Sequence, residues 1–186
     1  MSLSHLTRRD LLVSLVAAGV APALAQTPPA GSARYLVEMI AFRQPGPAPK
    51  AIPAGPLSQV TAIAGRIEVL PETAWQLGTI EASLLRRGYT VLAHTEWAAL
   101  VPPNGRTTAR LEDVLTVPTP LAGTVAVQRS QYLFLGVDID FAVPDGPTYS
   151  MRERRRVKFG ERNYFDHPAF GLIAQITPSR GAAATD

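Results

Sequence analysis

Tyr132-Leu-Phe-Leu-Gly-Val-Asp-Ile-Asp-Phe141, then Pro144-Asp145-Gly146, then Thr148-Tyr-Ser-Met-Arg-Glu-Arg-Arg-Arg-Val-Lys-Phe159 is the stretch that decides the fold. In its first limb Leu133, Leu135, Val137, Ile139 and Phe141 fall on one face of an extended chain. Tyr132, Phe134, Asp138 and Asp140 fall on the other, as a strand with one buried face requires. Pro-Asp-Gly is a turn signal, so the two limbs read as a hairpin. Tyr149, Met151, Val157 and Phe159 return to the Leu133 face only if the loop has an odd number of residues. A three-residue loop with Gly146 in the left-handed position meets that condition. The register then sets Asp138 opposite Arg152, with Asp140 on the diagonal. It also brings Phe134 near Arg156 and Tyr132 near Lys158, within cation–π reach. Glu153 and Arg155 land on the core face, which points to a stretch of sheet left uncovered.

Outward from the hairpin, Tyr35–Phe42 is an apolar run of strand length interrupted only by Glu38. Tyr89–Trp97 alternates, with Tyr89, Val91, Ala93, Thr95 and Trp97 on one face and Thr90, Leu92, His94 and Glu96 on the other. Between them, Pro71-Glu72 and Gly88 bracket a helix of about sixteen residues with its stripe at Leu77, Ile80 and Leu84. Gln44–Pro56, with five prolines, reads as an extended loop. Pro102–Pro120 reads as a second loop carrying a short helical turn at Leu111–Leu115. Thr124–Val127 leads toward Tyr132, residues 170–177 form a last strand, and Ser179–Asp186 reads as a disordered tail. The expected fold is therefore α+β: about five mostly antiparallel strands with one main helix on one face, in a single domain over residues 34–178.

The 186 residues suffice for one core, and the 46% apolar and 18% charged fractions fit a globular chain. With no cysteine, disulfides, thiolate metal sites and a cysteine nucleophile are excluded. Arg8-Arg9 precedes an uncharged run from Leu11 that closes on Ala23-Leu24-Ala25. A basic start, a short apolar stretch and an Ala-x-Ala end read as a signal peptide over residues 1–25, and the paired arginines resemble the twin-arginine export signal. The run is short of the roughly twenty residues a membrane-spanning helix needs. The expected location is the periplasm, with residues 26–33 as a linker, no transmembrane segment and no nucleic-acid partner. Cleavage after Ala25 would lower the formal charge from +3 to +2.

Catalytic constellations are sparse. His94 and His167, with Glu38, Glu96 and Asp166, have no metal-site spacing, so no metal or other cofactor is expected. His94 reads as an ordinary strand histidine and Glu38 as the buried partner of an arginine. Asp138 and Asp140 imitate a glycosidase pair but face Arg152, which makes them salt-bridge partners. Asp166 with His167 is the remaining hydrolase candidate. The densest chemistry is the segment from Arg152 to Pro168. Residues 152–162 hold six cations against two carboxylates. In a strand, Arg152, Arg154, Arg156 and Lys158 form one basic row, joined in sequence by Arg155. Guanidinium forks suit the carboxylates of an acidic polymer or partner protein. A charged row also protects an edge strand from aggregation. The turn that follows, Asn163–Pro168, places Tyr164, Asp166 and His167 as a sugar-binding lip or as a hydrogen-bonded anchor for the last strand.

Arg155-Arg156-Val157-Lys158, Glu161, and Tyr164-x-Asp166-His167-Pro168-x-Phe170-Gly171 resemble the C-terminal signature of the CsiV family, periplasmic peptidoglycan-binding proteins concerned with cell shape. Tyr35–Arg43, Tyr89-x-Val91-Leu92-x-His94-x-x-Trp97 and Gly123 through Leu133 fit the same pattern in order. The chain departs from it at Gln131, Phe134 and Asn163, where Arg, His and His are expected. The resemblance implies a non-enzymatic protein that binds peptidoglycan and assists a penicillin-binding synthase through an outer-membrane lipoprotein activator. It places ligand contacts among Arg152, Arg154, Arg155, Arg156, Lys158, Tyr164, Asp166 and His167. An envelope protein-interaction module without wall affinity is the alternative.

Overall fold

The computed structural model describes residues 28–46 and 67–179. The signal segment 1–25, most of the proline-rich loop 44–56 and the tail beyond Ser179 lie outside the described residues. The chain runs β1 (Ala33–Arg43), β2 (Ile67–Val69), a 3-10 turn (Glu72–Ala74), α1 (Gly78–Arg86), β3 (Thr90–Val101), β4 (Arg106–Arg110) and α2 (Leu111–Val114). It continues through β5 (Leu121–Arg129), β6 (Leu133–Ala142), β7 (Thr148–Val157), β8 (Arg162–Asp166) and β9 (Phe170–Pro178). The class is α+β with antiparallel strand pairing and one main helix, as the patterning predicts.

The strands divide into two sheets, in the orders β2-β3-β1-β9-β8 and β4-β5-β6-β7, where about five strands were expected. Four additional strands account for the difference, one of them β5, which extends the expected Thr124–Val127 lead-in to a full strand. β2 has only three residues, β4 occupies part of the expected Pro102–Pro120 loop, and β8 occupies the expected Asn163–Pro168 turn. The core lies between the sheets. Val37, Met39, Trp97, Phe165, Phe170 and Leu172 from the larger sheet meet Val125, Leu135, Ile139, Phe141 and Met151 from the smaller. Each of these large apolar side chains contributes about 1.5–3 kcal/mol by leaving water.

The β6–β7 hairpin has the expected register: Asp138 pairs with Arg152 and Ala142 with Thr148. The left-handed residue in its loop is Asp145 (φ 54°), not Gly146. β7 ends at Val157, so Lys158 falls just beyond the strand and pairs with Glu161 at 3.2 Å.

Two corrections concern the larger sheet. β1 and β3 slip past one another at Ala41 and Phe42, so that Ala41 pairs with Ala93 while Phe42 pairs with Val91. This bulge turns Tyr89 and Val91 to the helix side, whereas Ala93 and Trp97 face the core, splitting the face predicted to be continuous. The expected sixteen-residue helix is also broken. Trp75 is extended (φ −67°, ψ 135°), and only the nine residues of α1 form an α-helix. The break has a cause in β1. The Glu38 carboxylate accepts hydrogen bonds from the backbone N–H groups of Gln76 (3.0 Å) and Leu77 (2.7 Å), holding that stretch out of the helix. At the other end Gly88 (φ +81°) closes α1, with its N–H on Leu85 O and that of Tyr89 on Leu84 O. α1 packs Ile80 and Leu84 onto Ile40, Phe42 and Ile173 on the outer face of the larger sheet.

Candidate binding surface

The outer face of the smaller sheet is a grid fixed by register. One rank across its strands is Arg106, Gln128, Phe134 and Arg156; the next is Thr108, Ala126, Gly136 and Arg154; the third is Arg110, Thr124, Asp138 and Arg152. The middle rank has small side chains on three of its four strands, so it forms the floor of a trough between taller walls. This groove has a volume of about 330 Å³. Gly136 leaves real space: a Cβ built there would find no neighbour nearer than 3.9 Å.

Arg152, Arg154 and Arg156 stand on this face, as the alternation predicts. Arg152 bridges Asp138 (3.1 Å) and Asp140 (3.5 Å), and Ser150 also donates to Asp140 at 2.5 Å. The two carboxylates are therefore salt-bridge partners. The cation–π contacts are displaced one position from those expected. Arg154 lies over Phe134 (4.1 Å) and Arg156 over Tyr132 (3.5 Å). An aromatic ring occupies the flat face of a guanidinium and leaves its N–H edge available. Arg154 also donates to Gln128 at 2.9 Å. Among the described residues neither Arg154, Arg156 nor Arg106 has a carboxylate partner.

The other proposed contacts lie elsewhere. Arg155 points to the opposite side of β7, lies over Phe165 at 4.3 Å, donates to Tyr164 O at 2.7 Å and pairs with Glu153. It ties the edge of one sheet to the edge of the other, which explains two charges at nominal core positions. Tyr164 stacks on Phe42 on the helix side of the larger sheet and donates its hydroxyl to Asp166 at 2.7 Å. Burial, then the neighbouring Asp166 carboxylate, pushes the Tyr164 phenol up to about 12. Gln44 donates to the same carboxylate at 3.2 Å. His167 Nδ1 accepts the N–H of Ala169 at 3.1 Å, and its ring lies against Tyr149 and Phe170. Burial holds His167 below the usual imidazole range. Tyr164, Asp166 and His167 thus anchor β8 and the turn into β9, and they share no surface with the arginine row.

A second charged cluster, on the larger sheet, was not anticipated. His94 is sandwiched between Glu38 (Nε2–Oε1, 2.9 Å) and Glu81 of α1 (Nδ1–Oε2, 2.9 Å), with the Trp75 ring 4.1 Å away. The expected arginine partner for Glu38 is replaced by this histidine and two helix-start amides. Burial opposes ionisation of Glu38, but the hydrogen bonds from His94, Leu77 and Gln76 together hold it below the usual carboxylate range. Burial opposes the charge on His94 too, and its two carboxylate partners outweigh it and raise the imidazole. Glu96, directly paired with Glu38 across β1 and β3, is 1% exposed and its Oε2 has no hydrogen-bond partner. Burial, then the charge on Glu38, lifts it to about 7. Among the described residues no group of three or more His, Asp or Glu is placed to hold a metal ion, and no helix is long and apolar enough to cross a membrane. No family model, curated protein or solved structure matches the chain.

Proposed function

We propose that the protein is a periplasmic, non-enzymatic binder of peptidoglycan, and that the arginine-walled groove of the smaller sheet is its contact with the wall. One observation carries this reading: cations on both outer strands of that face flank a trough floored by small residues. Arg106 on β4 stands at the far side from Arg154 and Arg156 on β7, with a trough of small residues between them. Protection of the two edge strands, β4 and β7, would account for charge on both. It would not need the trough of small residues between them. Peptidoglycan stems present carboxylates at intervals along a polymer, and unpaired guanidinium edges bind them by charge-assisted hydrogen bonds. Assistance to a penicillin-binding synthase through a lipoprotein activator follows from the CsiV resemblance and belongs to the same proposal. The Asp166–His167 pair does not support hydrolysis, because both side chains are engaged in holding the β8–β9 turn.

Isolated sacculi are expected to sediment the purified protein at low ionic strength and to release it as salt screens the contact. Replacing Arg106, Arg154 and Arg156 together by Ser should abolish sedimentation without unfolding the protein. Undiminished binding by that variant would contradict the assignment of the groove.

A further inference from the structure

The groove is bipolar. Along one wall stand Arg106 and Arg154, the latter reaching from β7 over Phe134 to Gln128, and neither has a carboxylate partner among the described residues. On the opposite wall Asp138 stands beside Arg152, whose one cation is shared with Asp140 in the rank behind, leaving one net negative charge among the three. Arg152 engages Oδ1 of Asp138 at 3.1 Å, and the Asp138 side chain lines the groove with about a quarter of its surface exposed. Phe134 and Asp138 mark the two walls on one strand, four residues apart, or about 13 Å at strand rise. The Arg154 and Asp138 side chains narrow that span. A volume of about 330 Å³ is at the lower end of small-ligand sites and takes a segment of about two residues, not a whole polymer repeat.

A purely anionic ligand would gain from the arginine wall and be repelled by the other. A ligand with a cation several ångströms from its carboxylate is complementary to both walls. We propose that the groove recognises a short peptide segment carrying a free carboxylate and a free ammonium, seated with the carboxylate toward Arg106 and Arg154 and the ammonium on Asp138. This rests on the wall-binding reading and narrows it to the peptide stem, and within the stem to a residue bearing an amine.

Calorimetric titration of the protein with γ-D-glutamyl-meso-diaminopimelate tests the assignment, beside the same dipeptide acetylated on its amines and the same dipeptide amidated on its carboxylates. The free dipeptide should bind one to one. Acetylation should weaken it about tenfold and amidation more, in line with the loss of one or several charged hydrogen bonds. Asp138→Asn should bring the free and acetylated forms to equal affinity. Gly136→Val should remove binding by filling the floor. If that variant is unstable, Gly136→Ala, whose Cβ has room, should weaken binding while keeping the fold. Equal affinity of the free and acetylated forms for the unsubstituted protein overturns the proposal, as does binding unaffected at Gly136. No dipeptide binding with sacculus sedimentation intact overturns the ligand class alone. Loss of both overturns the wall-binding reading as well.

Discussion

The larger sheet keeps the charges of its outer face under a helix, whereas the smaller sheet stands its charges in water. Beneath α1, His94, Glu38 and Glu96 are almost fully enclosed, and His94 and Glu38 answer each other at 2.9 Å. On the smaller sheet Arg154 and Arg156 are exposed and rest on aromatic rings instead of carboxylates. The contrast separates two uses of ionisable groups. Buried pairs are costly to break, because removing one partner strands the other without water. Exposed cations add little to stability and remain free to bind.

The largest effect should come from His94→Leu, which leaves the buried Glu38 carboxylate and the half-buried Glu81 carboxylate without their shared partner. A loss of about 3 kcal/mol is expected in urea unfolding. A loss under about 1 kcal/mol would show that the cluster is not a structural clamp.

The next effect is a pH dependence. Folded Glu96 titrates at about 7 against an ordinary value of 4.5, so between those limits the folded state holds a proton that the unfolded chain has released. Stability should therefore fall as pH rises from about 4.5 to 7 and level off above, by an amount on the order of 3 kcal/mol. His94, raised in the folded state, adds loss in the same direction as pH rises through its folded value. Glu38, lowered, contributes stability that disappears as pH falls below 4.5. The optimum should lie on the acid side of neutrality. Glu96→Gln should remove much of the fall toward pH 8; unfolding curves that stay parallel to those of the unsubstituted protein would refute this.

The smallest stability change belongs to the other face. Tyr132→Leu removes the ring beneath Arg156 at a cost of under about 1 kcal/mol. Sacculus binding should nonetheless weaken measurably, because the guanidinium loses the surface that orients it. Equal changes in stability and binding would erase the distinction between the two faces.

What the sequence made legible follows the same division. The β6–β7 hairpin, its Asp138–Arg152 register and the outward arginine row were readable, since alternation and a turn signal are local properties. β4 was not: Arg-Thr-Thr-Ala-Arg has no apolar alternation and lies between prolines. With it went Arg106, which reaches the row only through the pairing of β4 with β5. Gly136, inside an otherwise apolar strand, was the one local sign of a trough. The buried cluster depends on a helix break imposed by Glu38 from some forty residues upstream. No window of local sequence contains both sides of that contact. Tyr164, Asp166 and His167 are near Arg156 in the chain yet face another way, because the turn after Val157 carries the chain from one sheet to the other.

The central claim is about which face meets the wall, and amide chemical-shift mapping with soluble muropeptides tests it most directly. The perturbed resonances should trace Arg106, Gln128, Gly136 and Arg154 across the four strands of the smaller sheet, leaving α1 and His94 unmoved. Perturbations gathered instead at Tyr164, Asp166 and His167, or around α1, would contradict the account.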